Sequence, residues 1–278
     1  MVKFLVVFLL FVATVFGDVN SKRDDLLYKV RTFVSDNVYM QNRAFINIIF
    51  SPTESFYKKD NMDIVKIVTT LKNNGLLKLS FKKPRDLRFN FISSANPLFF
   101  IKIMNDTLRN IGYYRYVTVS STLKNFEFTW HIELKSEYIS DPLILDNELK
   151  KSGCKITDIK MDSITEWSYV IDSTHAFLNV KKLENAKEDK LKRSLYPHWL
   201  NVSNIKNLKI KSSLRDKWYP YIAYYDSSLH LLNVIEKNAK SKYMNLKMPK
   251  DAYYIKISDL YTLKNVKDSL DLYPSGVR

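Results

Sequence analysis

The chain of 278 residues contains one cysteine, five glycines and four histidines. A single thiol excludes a framework of internal disulfides and a zinc site built on several thiolates. So few glycines leave little material for a loop that holds nucleotide phosphates. We therefore expect no metal and no cofactor. Hydrophobic residues make up 46% of the chain and aromatic residues 14%, which excludes disordered and collagen-like classes of protein.

The N-terminal segment, residues 1–17, has the layout of a secretory signal peptide. Lys3 supplies the positive start, residues 4–13 are wholly apolar, and Val15 and Gly17 occupy the small-residue positions of a cleavage site. An uncleaved membrane anchor is the alternative, but the apolar run is shorter than the roughly 20 residues that cross a bilayer core. We expect cleavage, export and no transmembrane span in the mature chain.

The chain is strongly basic, with 44 Lys and Arg residues against 29 Asp and Glu residues and a formal charge of +15. Such an excess favours nucleic acid, anionic lipid or an acidic protein as partner. Export makes nucleic acid an unsuitable partner, so we expect none, whereas acidic glycans and phospholipid head groups stay open. The densest basic group is interleaved with Phe81 and Phe89 and consists of Lys78, Lys82, Lys83, Arg85 and Arg88.

Three similar hexapeptides indicate an internal repeat. They read TLKNNG at residues 70–75, TLRNIG at 107–112 and ELKKSG at 148–153. Each ends a segment with apolar residues at helical spacing, so each glycine is predicted to take the left-handed position that ends a helix. Asn96-Pro97 and Asp141-Pro142 predict N-caps for two of these helices.

Alternating strands between the helices predict an α+β fold of repeated ferredoxin-like (split βαβ) modules followed by a C-terminal β-sandwich. Residues 87–180 read as strand, helix, strand, strand, helix, strand, the order of a ferredoxin-like domain. Residues 18–86 are predicted to form an N-terminal helix and a partial α/β module, with a candidate strand over 45–50. Residues 181–193 are charged and predict a linker or an exposed hairpin at a domain boundary, with a solvated helix face as the alternative. The short alternating runs of 194–278 predict the β-sandwich.

The C-terminal region supplies the candidate binding residues, Trp199, Trp218, Tyr219 and Tyr221. The last three flank Pro220, a residue that favours a loop or a strand edge, so we expect exposed rings there. Exposed aromatic rings stack on sugars and anchor protein interfaces. The alternative interpretation is that the rings fill the core of the sandwich.

No sequence motif for catalysis is present, because the chain lacks a nucleophile elbow, a Walker loop, a dinucleotide fingerprint and a zinc-protease motif. The four histidines, His131, His175, His198 and His230, are not at metal-ligand spacing. The carboxylate pairs Asp158 with Asp162 and Glu133 with Glu137 are of a kind common on wet faces of strands. We predict that the protein is not an enzyme and that it has no catalytic residues.

Residues 96–172 and 195–263 resemble uncharacterised periplasmic proteins of epsilonproteobacteria, on stretches such as NPLFFIKIMNDTLRNIGYYRY and KWYPYIAYYD. The order of the α/β elements is also similar to ferredoxin-like periplasmic domains of envelope machines such as type IV pilus alignment complexes. The first resemblance implies a periplasmic location, and neither implies an activity or a set of site residues.

These observations predict a periplasmic structural or adaptor protein that docks onto other envelope proteins, for example in the flagellar motor. A periplasmic or surface protein that binds peptidoglycan is the second hypothesis. A hydrolase or transferase is the third, and it requires carboxylates that converge in a cleft.

Overall fold

A computed structural model describes residues 21–278, so the predicted signal peptide lies outside the described residues. The chain divides into an N-terminal unit that ends at Phe177 and a C-terminal unit, Leu178–Arg278. Both helices and several sheets are present, which confirms the α+β class. No helix within the described range is long and apolar enough to cross a bilayer.

Within residues 21–278, the α-helices all belong to the N-terminal unit, and the C-terminal unit contains a short 3-10 helix, Leu263–Asn265. Residues 21–31 are helical and are labelled α1, in agreement with the predicted leading helix. The other helices are α2 (Asp36–Gln41), α3 (Arg43–Ile49), α4 (Ile64–Asn73), α5 (Pro97–Asn110) and α6 (Pro142–Lys150).

The predicted strand over residues 45–50 is wrong, because α3 covers this segment. A short apolar run cannot be assigned to helix or strand from periodicity alone. In the structure, Ile46 and Phe50 lie one helical turn apart and are both buried, and the ring centroids of Phe50 and Phe56 are 4.8 Å apart. Tertiary packing therefore selects the helix over the strand preference of isoleucine and phenylalanine.

The N-terminal unit contains seven strands, β1 (Tyr57–Lys58), β2 (Asn61–Met62), β3 (Ser80–Ser93), β4 (Val117–Lys124), β5 (Glu127–Tyr138), β6 (Lys155–Ser163) and β7 (Glu166–Asp172). β1 and β2 form a small ladder of their own, and the other five strands form one sheet in the order β4-β5-β3-β7-β6. The central strand β3 is antiparallel to β5 and parallel to β7.

This sheet has one strand more than the predicted ferredoxin-like order. The order of β3, α5, β4, β5 and α6 along the chain is as predicted, but α6 is followed by the hairpin of β6 and β7. β7 lies beside β3, and β6 forms the outer edge. The pairing of β6 with β7 is irregular at two places, and Ile156 and Ile159 are buried three residues apart, so β6 lacks the strict alternation that predicts a strand.

The predicted helix ends are confirmed. The side chain of Asn96 accepts the backbone N–H of Leu98 at 3.0 Å, and that of Asp141 accepts the N–H of Leu143 at 2.9 Å. At the other ends, Gly75, Gly112 and Gly153 have φ of +73°, +101° and +71°, the left-handed region that favours glycine. The three hexapeptides thus mark three helix ends within one unit.

The C-terminal unit contains nine strands in two sheets. They are β8 (Lys181–Lys182), β9 (Asp189–Lys192), β10 (His198–Asn201), β11 (Ile205–Ser212), β12 (Pro220–Tyr225), β13 (Leu231–Glu236), β14 (Tyr243–Lys247), β15 (Tyr254–Asp259) and β16 (Ser269–Val277). The sheet orders are β13-β12-β15-β10-β8 and β14-β11-β16-β9. Buried side chains from both sheets form a single core cluster.

The predicted linker over residues 181–193 is wrong. This segment supplies β8, which pairs with β10, and β9, which pairs with β16. Its two leucines, Leu183 and Leu191, are buried in the core of the C-terminal unit. Leu191 lies in β9 and Leu183 follows directly after β8, so the two leucines are too few and too far apart to show an alternating pattern among the charged residues around them.

Candidate interaction surfaces

The predicted binding residues divide between two places in the C-terminal unit. On β12, Ile222 and Tyr224 belong to the buried core, and because side chains alternate along a strand, Tyr221 and Tyr225 point away from it. Both are half-buried. Burial, and then the neighbouring Tyr221, raises the pKa of Tyr225.

The two strands beside β12 add a tryptophan and a lysine to the same face. Trp199 on β10 is paired with Lys256 on β15, and Lys256 is in turn paired with Ala223 on β12. The ring centroids of Trp199 and Tyr225 are 4.8 Å apart, and Lys256 Nζ lies 5.6 Å from the centroid of Tyr221. We name the four residues Trp199, Tyr221, Tyr225 and Lys256 the aromatic strip.

The prediction that Trp218 is exposed is wrong. Its side chain is 0% exposed, and its Nε1–H donates to the backbone oxygen of Ser258 at 2.9 Å. Trp218 is an even number of residues from Ile222 and Tyr224, so its side chain points to the same side of the extended chain as theirs. Pro220 at the start of β12 does not interrupt this alternation. Trp218 is therefore a core residue, which was the alternative interpretation.

Tyr219, one residue further along, points to the opposite side from Trp218 and is half-buried. Its ring meets that of Tyr261 edge to face, with centroids 5.0 Å apart, and its backbone N–H donates to Asp259 Oδ2 at 2.8 Å. The structure thus brings Trp199 and Tyr221 together on one face, and places Tyr219 in a separate aromatic pair.

A polar network lies on the N-terminal sheet, and sequence reasoning did not find it. Asn90 is its centre: its Oδ1 lies 2.6 Å from His131 Nδ1, and its Nδ2 donates to Glu166 Oε1 at 3.2 Å and to Ser168 Oγ at 3.1 Å. Ser168 Oγ in turn donates to Asp162 Oδ2 at 2.5 Å. Alternation along β3, β5 and β7 places these side chains on one face, but only the strand pairing brings them together.

The histidine and the serine of this network do not contact each other directly. The Ser168 hydroxyl donates to the carboxylate of Asp162, and His131 contacts the amide of Asn90. The network satisfies buried polar groups, since Asn90 and Ser168 are both buried.

The predicted carboxylate pairs do not converge either. Asp158 Oδ1 lies 2.6 Å from Lys29 Nζ, and Glu133 Oε1 accepts from Arg88 Nε at 3.0 Å. Asp158 lines a cleft of about 780 Å³ in which each aspartate is paired with a lysine; the pairs are Lys29 with Asp158, Lys58 with Asp63, Lys150 with Asp146, and Lys155 with Asp172. Over residues 21–278, no three His, Cys, Asp or Glu side chains are grouped to hold a metal.

Comparison with known proteins gives no match, whether with family models, curated protein sequences or solved structures. The resemblance to periplasmic proteins therefore stays a prediction.

Proposed function

We propose that this protein is a non-enzymatic adaptor that binds other proteins of the cell envelope through the aromatic strip of its C-terminal unit. The observation that supports this proposal most directly is the arrangement of Trp199, Tyr221 and Tyr225 around Lys256 on the face opposite the core. Tryptophan and tyrosine are enriched among the residues that carry binding energy, because each buries a large area at a small cost in side-chain entropy.

A protein partner fits this surface better than a small molecule. The strip lies on the face of a sheet and spans three neighbouring strands, β12, β15 and β10, whereas small ligands favour concave sites. The polar tips of the tyrosines and the amine of Lys256 supply hydrogen bonds beside the apolar rings.

The proposed architecture is a rigid support for such a surface. We propose that the two C-terminal sheets, which share one core, form the β-sandwich, and that the N-terminal sheet is a ferredoxin-like arrangement extended by the β6–β7 hairpin. The order of β4, β5 and β3, with β5 between the other two, supports a split βαβ unit. We propose a single such module and not the repeated modules that the hexapeptides suggested, because the described N-terminal strands form one five-stranded sheet and a two-stranded ladder.

The proposed location is the periplasm, reached through cleavage of residues 1–17. The layout of that segment and the resemblance to periplasmic proteins support this part of the proposal. The proposed partners are components of an envelope-spanning assembly, with the flagellar motor as the first to test.

Affinity capture from envelope membranes of the native host tests the adaptor function. The full chain is compared with Tyr221→Ala, Tyr225→Ala and the control Tyr243→Ala, since Tyr243 is an exposed tyrosine on β14 in the other sheet. We expect each strip variant to recover about five- to thirtyfold less of a defined partner, while the control keeps it. Equal recovery by all variants would contradict the proposal.

Peptidoglycan binding is the second candidate, and the Trp199–Tyr225 pair favours it because paired rings offer stacking faces to sugars. Cosedimentation of the full chain with purified peptidoglycan separates the two functions. Binding that is lost in Trp199→Ala but kept in Tyr243→Ala would replace the adaptor hypothesis with the glycan hypothesis. Absence of the protein from the pellet would remove the glycan candidate.

A further inference from the structure

The two edges of the N-terminal sheet differ in how they are protected. Exposed edge strands are templates for pairing with another chain, and proteins protect them with charges, prolines or coverage. The edge strand β6 carries four charged residues, Lys155, Asp158, Lys160 and Asp162, and it buries Ile156 and Ile159. The edge strand β4, VTVSSTLK, has one charge, at its last residue, and no proline.

β4 is uncovered along its whole length, because all eight of its residues are exposed. Val117 is 68% exposed and Leu123 is 62% exposed, although valine and leucine usually lie inside proteins. The described residues engage the inner edge of β4, through its antiparallel pairing with β5, which is irregular between Thr118 and Ser120 and regular from Ser120 to Lys124. The strand is also rich in valine and threonine, the residue types that favour extended backbone.

The turn after β4 adds an apolar side chain to the same edge. Asn125 and Phe126, which connect β4 to β5, have φ of +51° and +63°. Positive φ is common for asparagine but unfavourable for phenylalanine. The Phe126 side chain is nevertheless 91% exposed, so the hairpin holds a large aromatic ring in water without a packing partner to compensate the strain.

We propose that β4 accepts an extended segment of another protein as a sixth strand of this sheet. In this mode of recognition, main-chain hydrogen bonds supply much of the affinity and alternate side chains supply the specificity. The exposed apolar side chains of β4, together with Phe126, would contact alternate apolar residues of the incoming strand. This surface lies in the N-terminal unit, so the inference does not depend on the aromatic strip.

The charges near the start of β4 define the chemistry of the partner. Five exposed cations lie at the end of the sheet where β4 begins, namely Lys82, Lys83, Arg85, Arg115 and Lys135. Arg85 contacts the Phe81 ring at 5.4 Å, and no ion pair joins these cations to a carboxylate in the described part of the chain. Asp86 and Glu137 are exposed acids there, and Glu133, the register partner of Val117, forms an ion pair with Arg88. The five cations outnumber the remaining acids, so this end of the sheet is net positive.

The incoming segment is therefore apolar at alternate positions and acidic at the end beside Val117. Antiparallel addition, the arrangement of β4 with β5, places the acidic residues at the C-terminal end of the segment. A second copy of this chain fits less well, because it carries the same charge of +15 and its edge strand β13, which ends at Glu236, is followed directly by Lys237. Electrostatic complementarity thus selects a different protein as the occupant.

Synthetic peptides test the proposal on the full chain by fluorescence anisotropy. The probe alternates threonine and valine and ends in C-terminal glutamates; a second peptide ends in lysines. Two further versions of the probe carry an N-methyl group on every second amide. In one version the methylated amides face β4 in the bound strand, and in the other version they face away from β4. We expect the probe to bind at least about tenfold more tightly than the lysine peptide. We also expect one N-methylated version to lose binding while the other keeps it.

Variants of the edge identify the site. Val119→Lys places a charge in the middle of β4, and we expect it to weaken the probe by about tenfold or more. The matched control, Lys160→Ala on the opposite edge β6, should leave binding unchanged. Arg115→Ala and Lys135→Ala should each weaken it by about two- to fivefold at low salt.

Three results would overturn the proposal. Equal binding of the two N-methylated versions would show that no strand is added. Binding that is unaffected by Val119→Lys would place the peptide elsewhere. A concentration-dependent dimer of the full chain that Val119→Lys dissociates, measured by analytical ultracentrifugation, would assign the edge to a second copy instead.

Discussion

The two units of the chain complete their cores in different ways. In the N-terminal unit, helices meet a single sheet, as shown by the edge-to-face contact between Phe100 of α5 and Phe128 of β5, whose ring centroids are 6.1 Å apart. In the C-terminal unit, side chains from two sheets meet in one core, and the largest residue of that core is Trp218, which lies just before β12.

This difference decides where each unit offers a surface. A sheet covered by helices keeps its free edge, and in the N-terminal unit the unprotected edge is β4. In the C-terminal unit two sheets share one core, so the side of a sheet away from that core stays available for contact with solvent or partners, and the aromatic strip lies on such a side. The molecule thus presents an edge in one unit and a face in the other.

The largest expected effect separates core from surface in the C-terminal unit. Trp218→Ala removes a fully buried ring, so we expect it to lower the free energy of unfolding by about 3 to 5 kcal/mol. Tyr221→Ala removes a half-buried ring from the outer face and should cost less than about 1 kcal/mol. Urea denaturation of the full chain, with hydrogen exchange to assign the loss to residues 178–278, provides the measurement. Similar costs for both variants would contradict the assignment of Tyr221 to a surface.

Two glycines test the helix ends of the N-terminal unit. Gly75 and Gly153 have nearly equal φ, but a Cβ at Gly75 meets no atom within 4 Å, whereas a Cβ at Gly153 would lie 2.1 Å from the backbone oxygen of His175. We expect Gly75→Ala to cost about 1 kcal/mol from backbone conformation alone. Gly153→Ala should cost about 3 kcal/mol or more, because backbone has to move.

Thermal unfolding of the two glycine variants gives the comparison directly. Equal destabilisation would mean that the close approach of Gly153 to His175 does not persist in solution.

A smaller effect is the contribution of Asp172 to stability, which should depend on pH. Hydrogen bonds from the Thr174 hydroxyl and backbone N–H, and then Lys155, lower the pKa of Asp172 below its ordinary value. A carboxyl with a lowered folded-state pKa contributes stability above its unfolded pKa of about 3.9, and the contribution disappears as the pH falls through the folded pKa. We expect Asp172→Asn to destabilise the N-terminal unit by less than about 1 kcal/mol at neutral pH.

The difference between wild type and Asp172→Asn should shrink as the pH falls below the ordinary aspartate range. Urea titrations at a series of pH values measure it. A difference that stays constant into acid would assign the effect to packing rather than charge.

The smallest expected effect is the reaction of Cys154 with a thiol reagent, which should be almost absent in the folded protein. Cys154 is buried next to the end of α6, and burial, and then Asp172, raises its thiol pKa to about 11. The thiolate is the reactive form, so we expect almost no labelling by a maleimide at neutral pH in the folded protein and full labelling in guanidinium chloride. Rapid labelling of the folded protein would show that the N-terminal unit opens near α6.

The helix ends of this protein could be predicted from neighbouring residues in the sequence. The polar contacts on the sheet and the short strands of residues 181–193 depend on pairing between strands that are distant in sequence. The caps at Asn96 and Asp141 and the left-handed glycines follow from residues a few positions apart. The polar contacts of Asn90 with His131 and Ser168 cannot be derived in this way, because they depend on the register of β3 against β5 and β7. The same holds for the two short strands in residues 181–193.

The candidate site was predictable in part. Residue types alone selected Trp199 and Tyr221, which share a face, but they did not separate these from Trp218. The alternation of side chains into and before β12 would have separated them, because Trp218 points to the same side as the buried Ile222 and Tyr224. The edge β4 could be predicted as a strand, but its position at the rim of the sheet could not, since the strand order depends on which strands distant in sequence pair with one another.

Site-specific photocrosslinking in the native host tests the central claim most directly. A benzophenone amino acid replaces Tyr221 on the aromatic strip in one variant and Tyr243 on the other sheet in the control. The proposed function predicts a discrete adduct with an envelope protein from position 221 that is absent from position 243. The same adducts from both positions, or none from either, would contradict the claim that the aromatic strip is a protein-binding surface.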